Sequence, residues 1–198
     1  SITIDKNNKV YDSRDNCNAI IKTETNTLIV GCQNTIIPDG VTNIGVCAFE
    51  DCEFLTSINI PDSVTTISEY AFWRCDSLTS INIPDSVTSI GHYAFESCDS
   101  LTSITIPNGV TSIENGTFSS CKSLASINIP NSVTSIGGSA FSFCASLASI
   151  IIPNNVTTIG GYAFWRCRSL ADIRYNGTIE QWQQIKLENT WNKDIPST

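Results

Sequence analysis

Residues 78–100 read LTSINIPDSVTSIGHYAFESCDS. Ile81 and Ile83 alternate with Ser80 and Asn82, which is the period of a half-buried strand. Pro84 ends that strand, because proline has no N–H to give to a ladder. A second short extended piece runs from Val87 to Ile90, with Gly91 at the turn. Ala94, Phe95, Cys98 and Leu101 then follow at spacings that predict one or two turns of α- or 3-10 helix. The expected unit is strand, corner, short strand, corner, short helix, with about eight positions pointing inward.

The unit recurs without an insertion. Pro38, Pro61, Pro84, Pro107, Pro130 and Pro153 are each 23 residues apart. The same spacing relates Val41 to Val156, Ile44 to Ile159, Phe49 to Phe164 and Cys52 to Cys167, with the same residue type at every step between. One coil cannot bury eight inward positions alone, so the coils must stack, and the chain is expected to be a solenoid. The predicted class is an α/β solenoid of 23-residue coils, parallel strands plus short helical segments. Stacking at ~4.8 Å per coil makes six coils a rod roughly 30 Å long.

The ends depart from the period. Residues 1–35 are read as an irregular first repeat with a hairpin insertion, in which Ser1 to Asp5 resembles another strand. Asn18 to Lys22 and Thr27 to Gly31 flank a polar turn through Thr23 to Asn26. A turn centred between Glu24 and Thr25 sets Ile21 opposite Leu28, Ala19 opposite Val30 and Cys17 opposite Cys32, which makes the last pair a disulfide candidate. Residues 36–173 form the regular array. Residues 174–198 are read as a C-terminal cap: Thr178-Ile179-Glu180-Gln181 has the form of a capping box, and Ile179, Trp182 and Ile185 make an apolar stripe. Because the chain opens in mid-repeat without a Met, it is expected to be a monomeric piece of a longer repeat protein.

Composition narrows the function. Of 198 residues, 41% are hydrophobic and 15% charged, with a net charge of −8. Nucleic acid and anionic membranes repel such a chain. No run of 18 apolar residues exists to span a bilayer. The only histidine, His92, sits in a slot otherwise filled by Glu69, Asn115, Gly138 and Gly161, and the nearby Cys98 is predicted to face inward. No catalytic residue, metal site or cofactor site is assigned. The repeated cysteines line up with Phe and Leu, so they are expected to stack as buried thiols. Tetrahedral zinc needs ligands that converge on a point rather than a line.

The 23-residue unit with S-I-x-I-P, V-T-S-I-G, Y-A-F and C-x-S-L resembles the BspA-like leucine-rich repeat. Tyr11 to Ile21 and Tyr175 to Trp182 resemble modules that flank it in the same proteins. The resemblance implies a leucine-rich-repeat superhelix with an N-terminal hairpin module and a C-terminal cap. It also implies an extracellular or cell-surface, outer-membrane-associated location and adhesin-like protein binding without enzyme activity. It supplies no transferable site, since the shared residues are core.

The site therefore has to come from exposed positions. The first strand of each coil presents Ser57 and Asn59, Ser80 and Asn82, Ser103 and Thr105, Ser126 and Asn128, then Ser149 and Ile151. This polar surface is the expected partner-binding face, read as concave, for a host matrix or other cell-surface protein rather than a polysaccharide. Two alternatives stand beside it. A glycan-binding surface would use Trp73, Trp165, Tyr70, Tyr93, Tyr162 and Phe143 on the opposite, convex side, and a structural spacer would bind nothing. The threonine rank Thr42 to Thr157 reads as β-propensity with stacked hydroxyls rather than ice binding. Charge is uneven, with net −9 over residues 1–99 and +1 over 100–198. The acidic half (Glu50, Asp51, Glu53, Asp62, Asp76, Asp85) suits a basic partner or weak Ca²⁺ capture, but reads first as a solvated face. Three sequons begin at Asn115, Asn155 and Asn176 and carry no meaning in a bacterial product.

Overall fold

The computed structural model describes residues 1–195. The chain is a solenoid of about six coils, and its core is a set of columns along the axis. In the coil 78–100, beside the buried corner Pro84, the buried side chains are Leu78, Ile81, Ile83, Val87, Ile90, Ala94, Phe95 and Cys98. These are the eight inward positions the period requires, the large ones each worth about 1.5–3 kcal/mol when buried. The column of Phe49, Phe72, Phe95, Phe118, Phe141 and Phe164 is fully buried. Its successive rings are nearly parallel, with centroids 5.1 to 5.7 Å apart.

Two ladders tie the coils together. The short second strands Asn43–Ile44, Thr66–Ile67 and Ser89–Ile90 pair in parallel, residue to residue across one period. They continue a hairpin whose strands Ile20–Lys22 and Thr27–Val30 are antiparallel. Ser112–Ile113, Ser135–Ile136 and Thr158–Ile159 form a second parallel run, closed by Lys186–Leu187. The ladder breaks between Ser89–Ile90 and Ser112–Ile113. Glu114 stands there in a slot held by glycine in other coils. A Cβ on Gly91 would lie 2.5 Å from the Glu69 nitrogen, and one on Gly137 2.6 Å from the Asn115 nitrogen. Ser68 is accommodated in this slot, and its N–H still donates to the Ile44 carbonyl at 2.9 Å. Glu114 is larger, and its carboxylate turns to Ser112 and His92.

The expected short helix is absent, and the reason is backbone geometry. Tyr70 and Arg74, Tyr93 and Ser97, Ser139 and Phe143, and Tyr162 and Arg166 all have φ between 55° and 60°. Two left-handed residues four apart break any helix and leave a run of turns. Alternate N–H groups close those turns or cross to the next coil. Glu50 N donates to the Cys47 carbonyl at 3.1 Å, while Phe49 N donates to Ala71 at 2.8 Å and Asp51 N to Trp73 at 2.9 Å. The neighbouring coil thus supplies the acceptors that a helix would have found within itself.

The cysteine column is inert packing. Cys75, Cys98, Cys121, Cys144 and Cys167 are fully buried. Each thiol donates to a phenylalanine carbonyl of the preceding coil, from Cys75 to Phe49 at 3.2 Å through to Cys167 to Phe141 at 3.0 Å. Burial pushes the Cys98 and Cys144 thiols far above their ordinary range, and that of Cys167 to about 12.

The N-terminal hairpin corrects the disulfide expectation. Ile21 faces Leu28 as predicted, but a bulge between Ile20 and Ile21 sets Ile20, not Ala19, opposite Val30. The two thiols are thrown out of register and stay free. Cys17 is buried against the Ala19 carbonyl at 3.8 Å, and Cys32 faces the Asn18 carbonyl at 3.5 Å. Ser1 to Asp5 forms no strand, although Ile2 N donates to Asn18 Oδ1 at 2.6 Å. At the other end Thr178 caps the one α-helix among the described residues, Ile179–Gln183, through the predicted capping box. Trp182 is half-buried and edge-on to Tyr175 and Trp191, and Trp191 closes over Phe164. The last residues of the expected cap, 196–198, lie outside the described residues. Among the described residues no helix is long and apolar enough to cross a membrane.

Candidate binding surface

The first strands carry the candidate surface. Pairing is parallel and one period apart between Ser103–Thr105 and Ser126–Asn128, and between Ser149–Ile152 and Asp172–Tyr175. Asn59 and Asn82 bridge in the same register. Because alternate residues of a strand point to opposite sides, Ile81, Ile104 and Ile150 go into the core. Ser57, Asn59, Ser80, Asn82, Ser103, Thr105, Ser126 and Asn128 are exposed, as are Ser149 and Ile151. None of these ten side chains ionises near neutral pH. The surface is therefore five rungs of hydroxyls and amides with an exposed isoleucine at one end.

One edge of this face holds a cleft of about 460 Å³, lined by Asn108, Ser126, Asn128, Asn131, Ile151 and Asn176. The sequence reading missed Asn108, Asn131 and Asn176. A signal for two of them was available: the residue after each ladder proline is Asp39, Asp62 and Asp85 in three coils, then Asn108, Asn131 and Asn154. The edge is thus acidic in one half and neutral in the other.

The aromatic positions pack on one another. Tyr70 stacks on Tyr93 with centroids 5.0 Å apart, and Tyr93 lies over Gly116, where a Cβ would fall 2.2 Å from its ring. Trp73 is edge-on to Tyr70 and has the Arg74 guanidinium over its ring at 5.6 Å. Trp165 meets Phe143 and Tyr162 edge-on and carries Arg166 at 4.8 Å.

The remaining chemistry-bearing residues are engaged locally. His92 Nδ1 accepts from Asn115 N at 3.2 Å, and its Nε2 is 3.7 Å from Glu114. Among the described residues no group of three or more His, Cys, Asp or Glu is placed to hold a metal ion. Asp76 is raised by its own burial and by the neighbouring Asp99, and Lys122 closes on Asp99 at 2.6 Å. The threonine hydroxyls bond along their rank to backbone, as Thr157 Oγ1 does to the Thr134 carbonyl at 3.1 Å.

The model of the BspA type leucine rich repeat region matches in six copies, over residues 29–114 and 65–192. The chain belongs to this family. Among solved structures, this BspA-type chain is similar to a T. pallidum leucine-rich-repeat protein. The two are 32% identical with a TM-score of 0.69, covering 79% of this chain and 78% of that one. A leucine-rich-repeat protein from Eubacterium ventriosum is 25% identical at a TM-score of 0.78, over 86% of this chain and 47% of its own length. One from Bacteroides ovatus is 28% identical at 0.61, over 87% and 52%. The chain therefore spans about half the length of these last two relatives. No curated protein matches it.

Proposed function

We propose that this BspA-type array is a non-enzymatic protein-binding module of a cell-surface or secreted protein, acting through its first-strand face. The observation that carries the reading is the uncharged, exposed run from Ser57 and Asn59 to Ser149 and Ile151, held rung by rung on a rigid core. Rigid placement matters because a partner then pays little to order the surface it meets. The family supports the reading, since leucine-rich-repeat arrays are typically interaction modules.

Size adds a requirement. Five rungs at ~4.8 Å spacing cover roughly 20 Å along the axis, and two side chains per rung make a narrow strip. A stable interface buries about 800 Å² per partner. A protein partner must therefore also cover the neighbouring threonine row (Thr56, Thr79, Thr102) and the asparagine cleft. The non-enzymatic part of the proposal rests on the buried, strongly raised thiols and on a histidine whose ring accepts a backbone N–H.

The test is binding of the purified chain to immobilised host matrix proteins and polysaccharides. Saturable capture by a protein, lost on substitution of first-strand residues, is the expected result. Capture by polysaccharide alone, or by nothing, would overturn it.

A further inference from the structure

Residues 70–75 and 162–167 are the same hexapeptide, Tyr-Ala-Phe-Trp-Arg-Cys, 92 residues and so four coils apart. In both copies the Tyr and the Arg are left-handed, so the side chains leave the turn in the same way. In both, the Tyr meets the Trp edge-on and the Arg lies over the Trp ring.

The surroundings differ. One period before Arg74 stands Asp51, and the two close to 3.0 Å. One period before Arg166 stands Phe143, whose ring lies under the guanidinium at 5.4 Å and edge-on to Trp165 at 4.7 Å. Two residues after Arg74 is Asp76, with Glu53 one period earlier. Two residues after Arg166 is Arg168, with Ala145 one period earlier. The first copy is thus neutralised by its own coil neighbours. In the second, Arg166 and Arg168 are exposed, and neither has a carboxylate within 4.0 Å among the described residues. Asp194, the nearby acid, accepts from Trp165 Nε1 at 2.8 Å, and Lys193 lies over Tyr162.

A guanidinium held against two rings has already given up much of its freedom, while its fork of N–H donors still seeks a planar anion. Aromatic residues around an arginine are also the composition that dominates protein-binding energy. We propose that Arg166, framed by Trp165 and Phe143, forms with the exposed Arg168 two residues on a docking site for an acidic peptide segment of a protein partner. A peptide is favoured over an acidic sugar because the Trp165 face that a pyranose would stack on carries Arg166. The site lies on the turn side of the coil, apart from the first-strand face, and rests on the binding-module reading only in taking a protein as partner.

The test uses the whole chain and a fluorescein-labelled dodecapeptide rich in Asp and Glu with two Leu. Its Asn/Gln counterpart is the neutral control, and heparin and hyaluronan oligosaccharides are the glycan arms. Saturable binding of the acidic peptide alone is expected. Arg166→Gln with Arg168→Gln should weaken it by about tenfold or more, from the loss of charged hydrogen bonds. Arg166→Lys, which keeps the charge and loses the fork, should also weaken it, and Arg74→Gln should leave it unchanged. Absence of saturable peptide binding, equal loss on Arg74→Gln, or tighter binding of an acidic oligosaccharide through Arg166 would overturn the proposal. If a protein binds the first-strand face while the acidic peptide binds nowhere, this site fails and the wider reading stands. Peptide binding that depends on Arg166 and ignores first-strand substitutions supports the site by itself.

Discussion

The Cys121 thiol donates to the carbonyl of Phe95 at 3.1 Å, so the sulfur of one coil is bonded to the backbone of the coil before it. The same contact in four other coils makes thiol reactivity a report on stacking. Cys17, Cys75, Cys98, Cys121, Cys144 and Cys167 are expected to resist iodoacetamide at pH 8 in the native chain and to react after denaturation. Cys32, Cys47 and Cys52 are partly exposed and should label natively. Cys47 should be slow, because its hydrogen bond to Glu50 holds the thiol up to about 11. Peptide mapping by mass spectrometry reads the pattern, and native labelling of Cys98 or Cys121 would contradict the column.

Phe118 sits between Phe95 and Phe141 with centroids 5.7 and 5.6 Å away. Phe118→Ala opens a cavity in mid-array and should cost about 3–5 kcal/mol. Coils stabilise mainly their neighbours, so the loss should spread to both sides. Urea unfolding measures it, with Ser103→Ala, expected within ~0.5 kcal/mol of wild type, as the surface control.

Asp12 holds the N-terminal hairpin. It accepts from Arg14 Nε at 2.8 Å and Nη2 at 2.6 Å, and from Thr23 Oγ1 at 3.0 Å. Chiefly through Arg14, its carboxyl is lowered from 3.8 to about 2. A lowered carboxyl stabilises the fold above its unfolded pKa, and that contribution fades as pH falls through the folded value. Asp12→Asn should therefore cost roughly 1–2 kcal/mol at neutral pH and only a small fraction of that near pH 2. Unfolding of both proteins between about pH 7 and 2 checks this, and a gap that stays constant below pH 4 would rule it out.

The ladder break at Glu114 predicts uneven amide exchange. Ser68 N and Gly91 N bond to the preceding coil, as do Thr88 N and Thr134 N. No such bond reaches Glu114 N or Thr111 N among the described residues. Those two amides should exchange faster than their equivalents one period away. Equal protection across the junction, measured by NMR, would mean that the ladder is continuous.

Much of this was legible because a fixed period turns a sequence into columns. The inward Ile81, Val87 and Phe95 follow from spacing alone, as does the exposure of Asn59, Asn82, Thr105 and Asn128. The turn segments were misread because left-handed backbone falls on Tyr70, Arg74 and Ser97, residue types that do not announce it, and because the compensating hydrogen bonds run between coils. The register of Cys17 and Cys32 hung on one bulged residue, Ile20, which no pattern marks. The asparagine cleft needs Asn108, Asn128 and Asn176 from three separate segments of chain, which only the stacked coils bring together. The contrast between Arg74 and Arg166 lay in plain sight as Asp51 against Phe143, but its meaning depends on one coil lying over the next.

The most direct test of the first-strand face is a comparison of the wild-type chain with a variant carrying Asn59→Lys, Asn82→Lys, Thr105→Lys and Asn128→Lys. Binding of both to the protein ligand found in the panel screen is measured, with thiol protection confirming the fold. These side chains are exposed, so the variant should remain folded and lose binding by at least ~10-fold, a 1.4 kcal/mol change or more. Undiminished binding by a folded variant would place the site elsewhere and contradict the account.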